Sequence, residues 1–440
     1  MLTTLKNAFK IKEIRQKILF TFVMLVVIRI GSQLPTPGVN GEVFKRWFEQ
    51  QTAGAFSFFD AITGGSFTSM AVLALGINPY ITSSIIIQLL TIAIPKLEEM
   101  QRDGEDGRKK LVSITRYVTV ALALVQSTAM AIGFGRQGYL TSYNAFNVIT
   151  VVVALTAGSA FLMWIGEQIT EKGVGNGISI VLVINIISRL PQDFGNLYDQ
   201  FVAGNISKAP AKAILAAVII IAIVLGMVVL VIILNDATRK IPVQYAKKVQ
   251  GRKMVGGQTS SIPLKVNTAG VIPVIFAQSI MQFPVIISSF AGYKGTGVWS
   301  EVLKYLNSSN WCKISEPVYT IGLVVYIALI IFFAYFYTSI TFNPLMIADN
   351  MKKQGGFIPG IRPGKPTSDY LNKVLNYIVF IGAVGLTIIA ILPFVFDGIF
   401  GANVSFGGTS LIIIVSVVLE TVKQIESQML VRNYKGFLDN

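Results

Sequence analysis

The residues that could do chemistry in this chain are chiefly defined by what is missing. No histidine occurs among 440 residues, and Cys312 is the single cysteine. The usual general base and the usual metal ligand are therefore absent, and no internal disulfide can form. Gly173-Val174-Gly175-Asn176-Gly177 has the glycines of a phosphate loop. No strand is predicted before it, and no Lys-Ser/Thr follows at the required spacing. Close helix packing accounts for it better. Polar groups within apolar runs are hydroxyls and amides: Asn78, Thr82, Ser83, Ser84 and Gln88 in one run, Gln278, Ser279 and Gln282 in another. Proton pumps and ion-coupled transporters use buried carboxylates or histidines as relays. Arg29 is the exception in span interiors that otherwise largely lack charge, while Glu167, Glu420, Lys423 and Glu426 fall toward span ends. No catalytic site, metal or cofactor is expected. The amide and hydroxyl sets mark two helix faces that tolerate both water and contact, or else ordinary interhelical hydrogen bonds.

The elements that carry these groups follow from composition. The chain is 53% hydrophobic and 13% charged, against roughly a quarter charged in a soluble domain. Apolar runs of the length needed to cross a bilayer lie between bunched charges, and runs of that kind are helices. Ten spans are predicted at 18–34, 71–94, 112–133, 147–166, 177–190, 213–234, 269–290, 317–341, 374–396 and 408–426, the fifth being short. Pro79, Pro273 and Pro284 predict local kinks. With the N-terminus inside, 27 of the 37 Lys and Arg fall in cytoplasmic segments and their bordering span ends, and 9 fall opposite. This bias puts both termini in the cytoplasm. The first apolar run is too long for a cleavable signal peptide. An odd number of spans per half makes 1–195 and 196–440 an inverted pair of five-helix units.

Three segments are not ordinary spans. The stretch 56–67 (FSFFDAITGGSF) is apolar, short and broken by glycine. It is either a re-entrant, pore-facing helix or an interfacial helix on the outer leaflet. The loops 235–268 and 342–373 are long and basic. The first holds Arg239, Lys240, Lys247, Lys248, Arg252, Lys253 and Lys265; the second holds Lys352, Lys353, Arg362 and Lys365. Two prolines and four glycines within 355–364 specify a shaped loop. Such loops dock an acidic or phosphate-bearing partner, or reflect topology and anionic lipid.

Specific runs resemble the SecY family of protein-conducting channels. The run from Leu75 to Leu90 (LGINPYITSSIIIQLL) resembles the family's second span, and Lys265 to Ala277 (KVNTAGVIPVIFA) its seventh. Tyr245-Ala246-Lys247-Lys248, Gln250-Gly251-Arg252 and Gly360-Ile361-Arg362-Pro363-Gly364 match its basic loops, and the likeness runs along essentially the whole chain. The resemblance implies an all-α integral membrane protein of ten helices in two halves, with a short plug helix. It implies a pore ring of Ile77, Ile81, Ile178, Leu182, Ile275 and Ile413. Branched apolar groups at i and i+4 face one way on a helix, and a ring of them dewets a constriction. It implies a plug including Phe59, Asp60, Ile62, Thr63, Gly64 and Gly65. It implies a lateral gate with Thr82, Gln88, Gln278 and Ser279, the third and eighth spans contributing, and docking through Lys247, Lys248, Arg252 and Arg362. The implied partners are SecE, SecG, the motor SecA, the ribosome, precursor proteins bearing signal sequences, and lipid. The implied location is a bacterial plasma membrane. The rival reading from span count is an inverted-repeat secondary transporter of a small solute, which needs an ionisable site at the midplane.

Overall fold

Ten apolar runs become ten helices, because a chain in lipid must satisfy its backbone internally. A computed structural model of the protein describes residues 8–51, 57–203, 210–245, 248–250, 253–255, 259–290, 297–313, 316–400 and 408–438. The helices at the expected spans are α1 (Lys12–Gly31), α4 (Asn78–Ala93), α6 (Glu105–Arg136), α7 (Ala145–Lys172), α8 (Gly177–Leu197), α9 (Pro210–Asp236), α10 (Ile272–Phe290), α12 (Ile321–Thr341), α14 (Lys365–Phe400) and α15 (Gly408–Leu438). Among the described residues, six of them are long and apolar enough to cross a bilayer unaided. The bent pair α4 and α5 (Pro95–Arg102) makes a seventh if taken as one span. Shorter elements are α2 (Gly41–Gln51), α3 (Ser57–Thr63), α11 (Val298–Leu306) and α13 (Pro344–Lys353). Large apolar side chains such as Phe22, Phe146 and Ile221 point outward. That inverts the soluble rule and suits a hydrocarbon solvent.

Three span expectations are corrected. The second helix begins at Asn78, since 64–77 forms turns. The fifth runs for 21 residues and carries Pro191 within it. Pro79 and Pro273 sit at helix starts, where a missing N–H costs nothing, and so produce no kink there. The sharp break lies at Pro95, where α4 and α5 bend by 109°.

The helices pack mainly among α1, α4, α6, α7 and α8, and among α9, α10, α12, α14 and α15. The two groups meet where α8 touches α15 and where α6 touches α10. Residues 32–51 and 57–77 fold back into the first group. They are pinned by the Val72 amide on the Leu34 carbonyl at 2.8 Å and the Thr36 amide on the Met70 carbonyl at 2.9 Å. Phe44 packs edge-on against Phe67 and Phe134, with ring centroids 5.6 and 4.8 Å apart.

The two basic loops fold together. Strands β1 (Thr238–Tyr245), β4 (Thr259–Lys265) and β5 (Gly356–Phe357) form an antiparallel sheet in the order β4-β1-β5. A separate small hairpin pairs β2 (Lys248–Gln250) with β3 (Lys253–Val255). Period-two alternation turns Ile241 and Val243 inward. They share an apolar cluster with Leu264, Met351, Ile358 and Leu371. The Asn343 side chain caps α13, accepting from the amides of Leu345 and Met346 at 3.1 and 3.2 Å.

Candidate functional site: an apolar waist between a cavity and a buried short helix

All six residues expected in the ring fall in one apolar cluster, together with Ile62 of α3. They come from the starts of four helices. Ile77 caps α4, and the Ile81 amide donates to its carbonyl at 3.1 Å, one turn on. Ile178 and Leu182 occupy the first turns of α8. The Asn176 side chain caps that helix, accepting from the Ile178 amide at 3.1 Å. Ile275 lies in the first turn of α10, its amide donating to the Val271 carbonyl at 3.2 Å. Ile413 lies in the second turn of α15. Ile77, Leu182, Ile275 and Ile413 are buried; Ile81 and Ile178 are partly open.

The opening is to a cavity of about 530 Å³, whose lining includes Ile81, Ile178, Leu182 and Ile275. Its walls also carry Tyr80, Gln88, Arg116, Glu167 and Tyr337. Arg116 of α6 and Glu167 of α7 pair at 2.7 Å. The glycine-rich turn at 173–177 proves to be a packing junction. A Cβ on Gly177 would lie 1.9 Å from the Gly166 carbonyl oxygen, and one on Gly175 would lie 2.9 Å from Thr421 Oγ1. The Val174 amide donates to Thr21 Oγ1 at 3.1 Å. This junction fixes where α8 begins, and thus where Ile178 and Leu182 stand.

Further along α8 sits the candidate plug. Ile178 and Arg189 are eleven residues apart, about 16 Å along the helix axis. There α3 and the turn after it pack against Asn185, Ser188 and Arg189. Asp60, Ala61, Ile62 and Thr63 are buried. That burial favours the re-entrant alternative over a helix resting on the leaflet. Phe59 lies in α3. Asp60 pairs with Arg189 and accepts from the Thr68 amide at 2.9 Å. Arg29 of α1 donates to the Gly64 carbonyl at 3.3 Å. Gly64 and Gly65 take φ of +68° and +83°, the left-handed region open to glycine.

The gate residues divide. Gln88 accepts from the Tyr337 hydroxyl, tying α4 to α12. Ile85 of α4 packs on the apolar core of the second helix group. Gln278 is buried, and its Oε1 finds no partner among the described residues. Ser279 is exposed and Thr82 half-buried. Of the docking residues, Lys247 and Arg252 lie outside the described residues, and Lys248 begins β2. Arg362 is exposed, and its carbonyl accepts from Thr367 Oγ1 at 2.8 Å. Cys312 is half-buried, and burial pushes its thiol pKa up, which leaves little thiolate.

Sequence reasoning overlooked Arg189, Asn185 and Tyr337. A signal was present for the first. Arg189 and Asp193 are charges in or beside an otherwise apolar span, and Asp60 sits alone in an apolar segment. A charge in such surroundings calls for a partner.

The SecY family model matches residues 71–422. The chain is 44% identical to the Protein translocase subunit SecY of Streptomyces scabiei and 42% identical to that of Bacillus subtilis, over 100% of both chains in each case. Among solved structures it resembles one described as a protein conducting channel, with TM-score 0.61 and 18% identity over 94% of this chain and 92% of that one. It also resembles one in which the SecY plug domain is described as stabilising the closed state, with TM-score 0.63, 19% identity and the same coverage. The apolar waist, the buried short helix beside it and the basic sheet thus occur in a chain that belongs to the SecY family.

Proposed function

We propose that this chain is the central channel subunit of the Sec protein translocase, passing unfolded precursors across the bacterial plasma membrane and releasing transmembrane segments sideways into lipid. The observation that carries the reading is the order along α8: a cavity, a cluster of six aliphatic side chains, then a buried short helix. A ring of branched side chains sheds water and so resists ions, yet it deforms around a chain. The charge bias supports both termini and the basic sheet facing the cytoplasm. The two packing groups support halves divided near residue 195. The seam between α4 and α10 serves as the lateral gate. Its closure by Ile85 and by the Tyr337–Gln88 bond is mild enough for an apolar signal helix to part.

The channel hydrolyses nothing itself. SecA or a translating ribosome supplies the work, docking on the sheet and the loop of Arg362. SecE and SecG complete the assembly. The test is transport into proteoliposomes holding this chain with SecE. With SecA and ATP, a precursor becomes protected from protease. Absence of protection beside a motor active on another channel overturns the reading.

A further inference from the structure

A group of charges lies beside the plug, and the conduit reading gives it no task. Asp60 has no exposed side-chain surface, and Arg189 keeps 16% of its own. Asp193 stands one turn beyond Arg189 on α8. It is buried and acts electrostatically on the same guanidinium. Arg29 adds a second cation on the plug side through the Gly64 carbonyl. Arg189 is thus flanked by two carboxylates, one carried by the plug and one by its own helix. Residues four apart on a helix share a face and can pair.

This arrangement bears on opening. A plug that leaves takes Asp60 with it. A buried cation stripped of its counter-charge is strongly unfavourable, so Asp60 alone would make a lock with no release. Asp193 offers the guanidinium a second place to go without moving α8.

We propose that Arg189 is the positioning residue of a two-position latch, bound to Asp60 while the plug is seated and handed to Asp193 when the plug leaves. The inference rests on the plug reading above. The two carboxylates then act in opposite directions: Asp60 holds the closed state, and Asp193 eases departure from it. Their difference sets how strong a signal sequence must be to open the channel.

The test uses the full chain with SecE in proteoliposomes, in a Cys312→Ser background with Ser66→Cys as reporter. Ser66 is 1% exposed and lies in the turn that follows α3 within the plug segment. Asp60→Asn is expected to speed maleimide labelling of the reporter about tenfold and to admit precursors with defective signals, because the closed population falls. Asp193→Asn is expected to do the reverse, lowering transport about tenfold with the reporter still protected. The exchange Asp60→Arg with Arg189→Asp restores slow labelling. Should Asp60→Asn fail to fold, Arg189→Lys takes its place; it keeps the charge, loses the planar fork, and labels at an intermediate rate. Parent-rate labelling in Asp60→Asn, or parent-rate transport in Asp193→Asn, overturns the latch. Labelling requires no transport, so a parent chain that fails to protect precursor counts against the channel reading separately.

Discussion

At Gly64 the chain turns with φ +68°, and its carbonyl takes hydrogen from Arg29. A Cβ there would lie 2.9 Å from both Cα and O of Asn185, which are backbone atoms of a packed helix. An L-residue also pays about 1–2 kcal/mol for the left-handed conformation. Gly64→Ala is therefore expected to unseat the plug partly. The check is ion conductance of vesicles without precursor, which rises in the variant while Gly104→Ala, where a Cβ meets nothing within 4 Å, serves as a comparison for φ strain alone. Equal conductance in Gly64→Ala and parent would show that the turn does not hold the seal. Gly76 makes a similar close approach from the other side, its Cβ position 2.9 Å from Thr63 Cγ2.

The ring belongs to the scale of elements, because no single helix makes it. Four helix starts converge, and three of them are fixed by local chemistry: a proline at the second position of α4 and α10, an asparagine cap and glycine contacts at α8. Ile81→Asn and Ile275→Asn each put an amide into that apolar cluster. Burying an unpaired amide costs about 1–3 kcal/mol by mutational scales, and water that follows it wets the constriction. Both variants are expected to leak ions and to accept weaker signal sequences, read by conductance and by transport of a signal-defective precursor. Transport that stays as strict and as tight as in the parent would remove the ring from the mechanism. The ten helices were legible because span length and hydropathy are properties of contiguous residues. The clustering of the six aliphatic residues was legible through family likeness, since they lie up to 336 positions apart, from Ile77 to Ile413. The start of α4 was misplaced because residues 71–77 are as apolar as a helix, yet Gly76 at φ +61° and Met70 at φ +46° break it. The Asp60–Arg189 pair escaped notice because its members are 129 residues apart and only folding joins them.

For the whole molecule, the sequence suggested two separate basic loops, and the structure has one platform. Pairing of Gln244 with Phe357 and Tyr245 with Gly356 could not be foreseen, because a two-residue strand has no periodicity to detect. Arg362 stands exposed beside this platform, and its loop is held by Ile358 and Ile361 in the apolar cluster beneath. Guanidinium groups suit carboxylate and phosphate partners. Arg362→Glu is expected to cut SecA-driven transport by about tenfold or more through like-charge repulsion at the contact. Vesicle conductance without precursor should stay at the parent level. A variant that transports as the parent does would exclude Arg362 from docking. The sheet also has a mechanical side. β1 leaves α9 after one residue, β4 leads toward α10, and β5 joins α13 to the loop before α14. A partner that grips this small sheet holds a handle wired to four helices at once, α10 of the seam among them. On the channel reading proposed above, torque applied there would tilt these four helices together, so the partner that drives the cargo would also pry the seam.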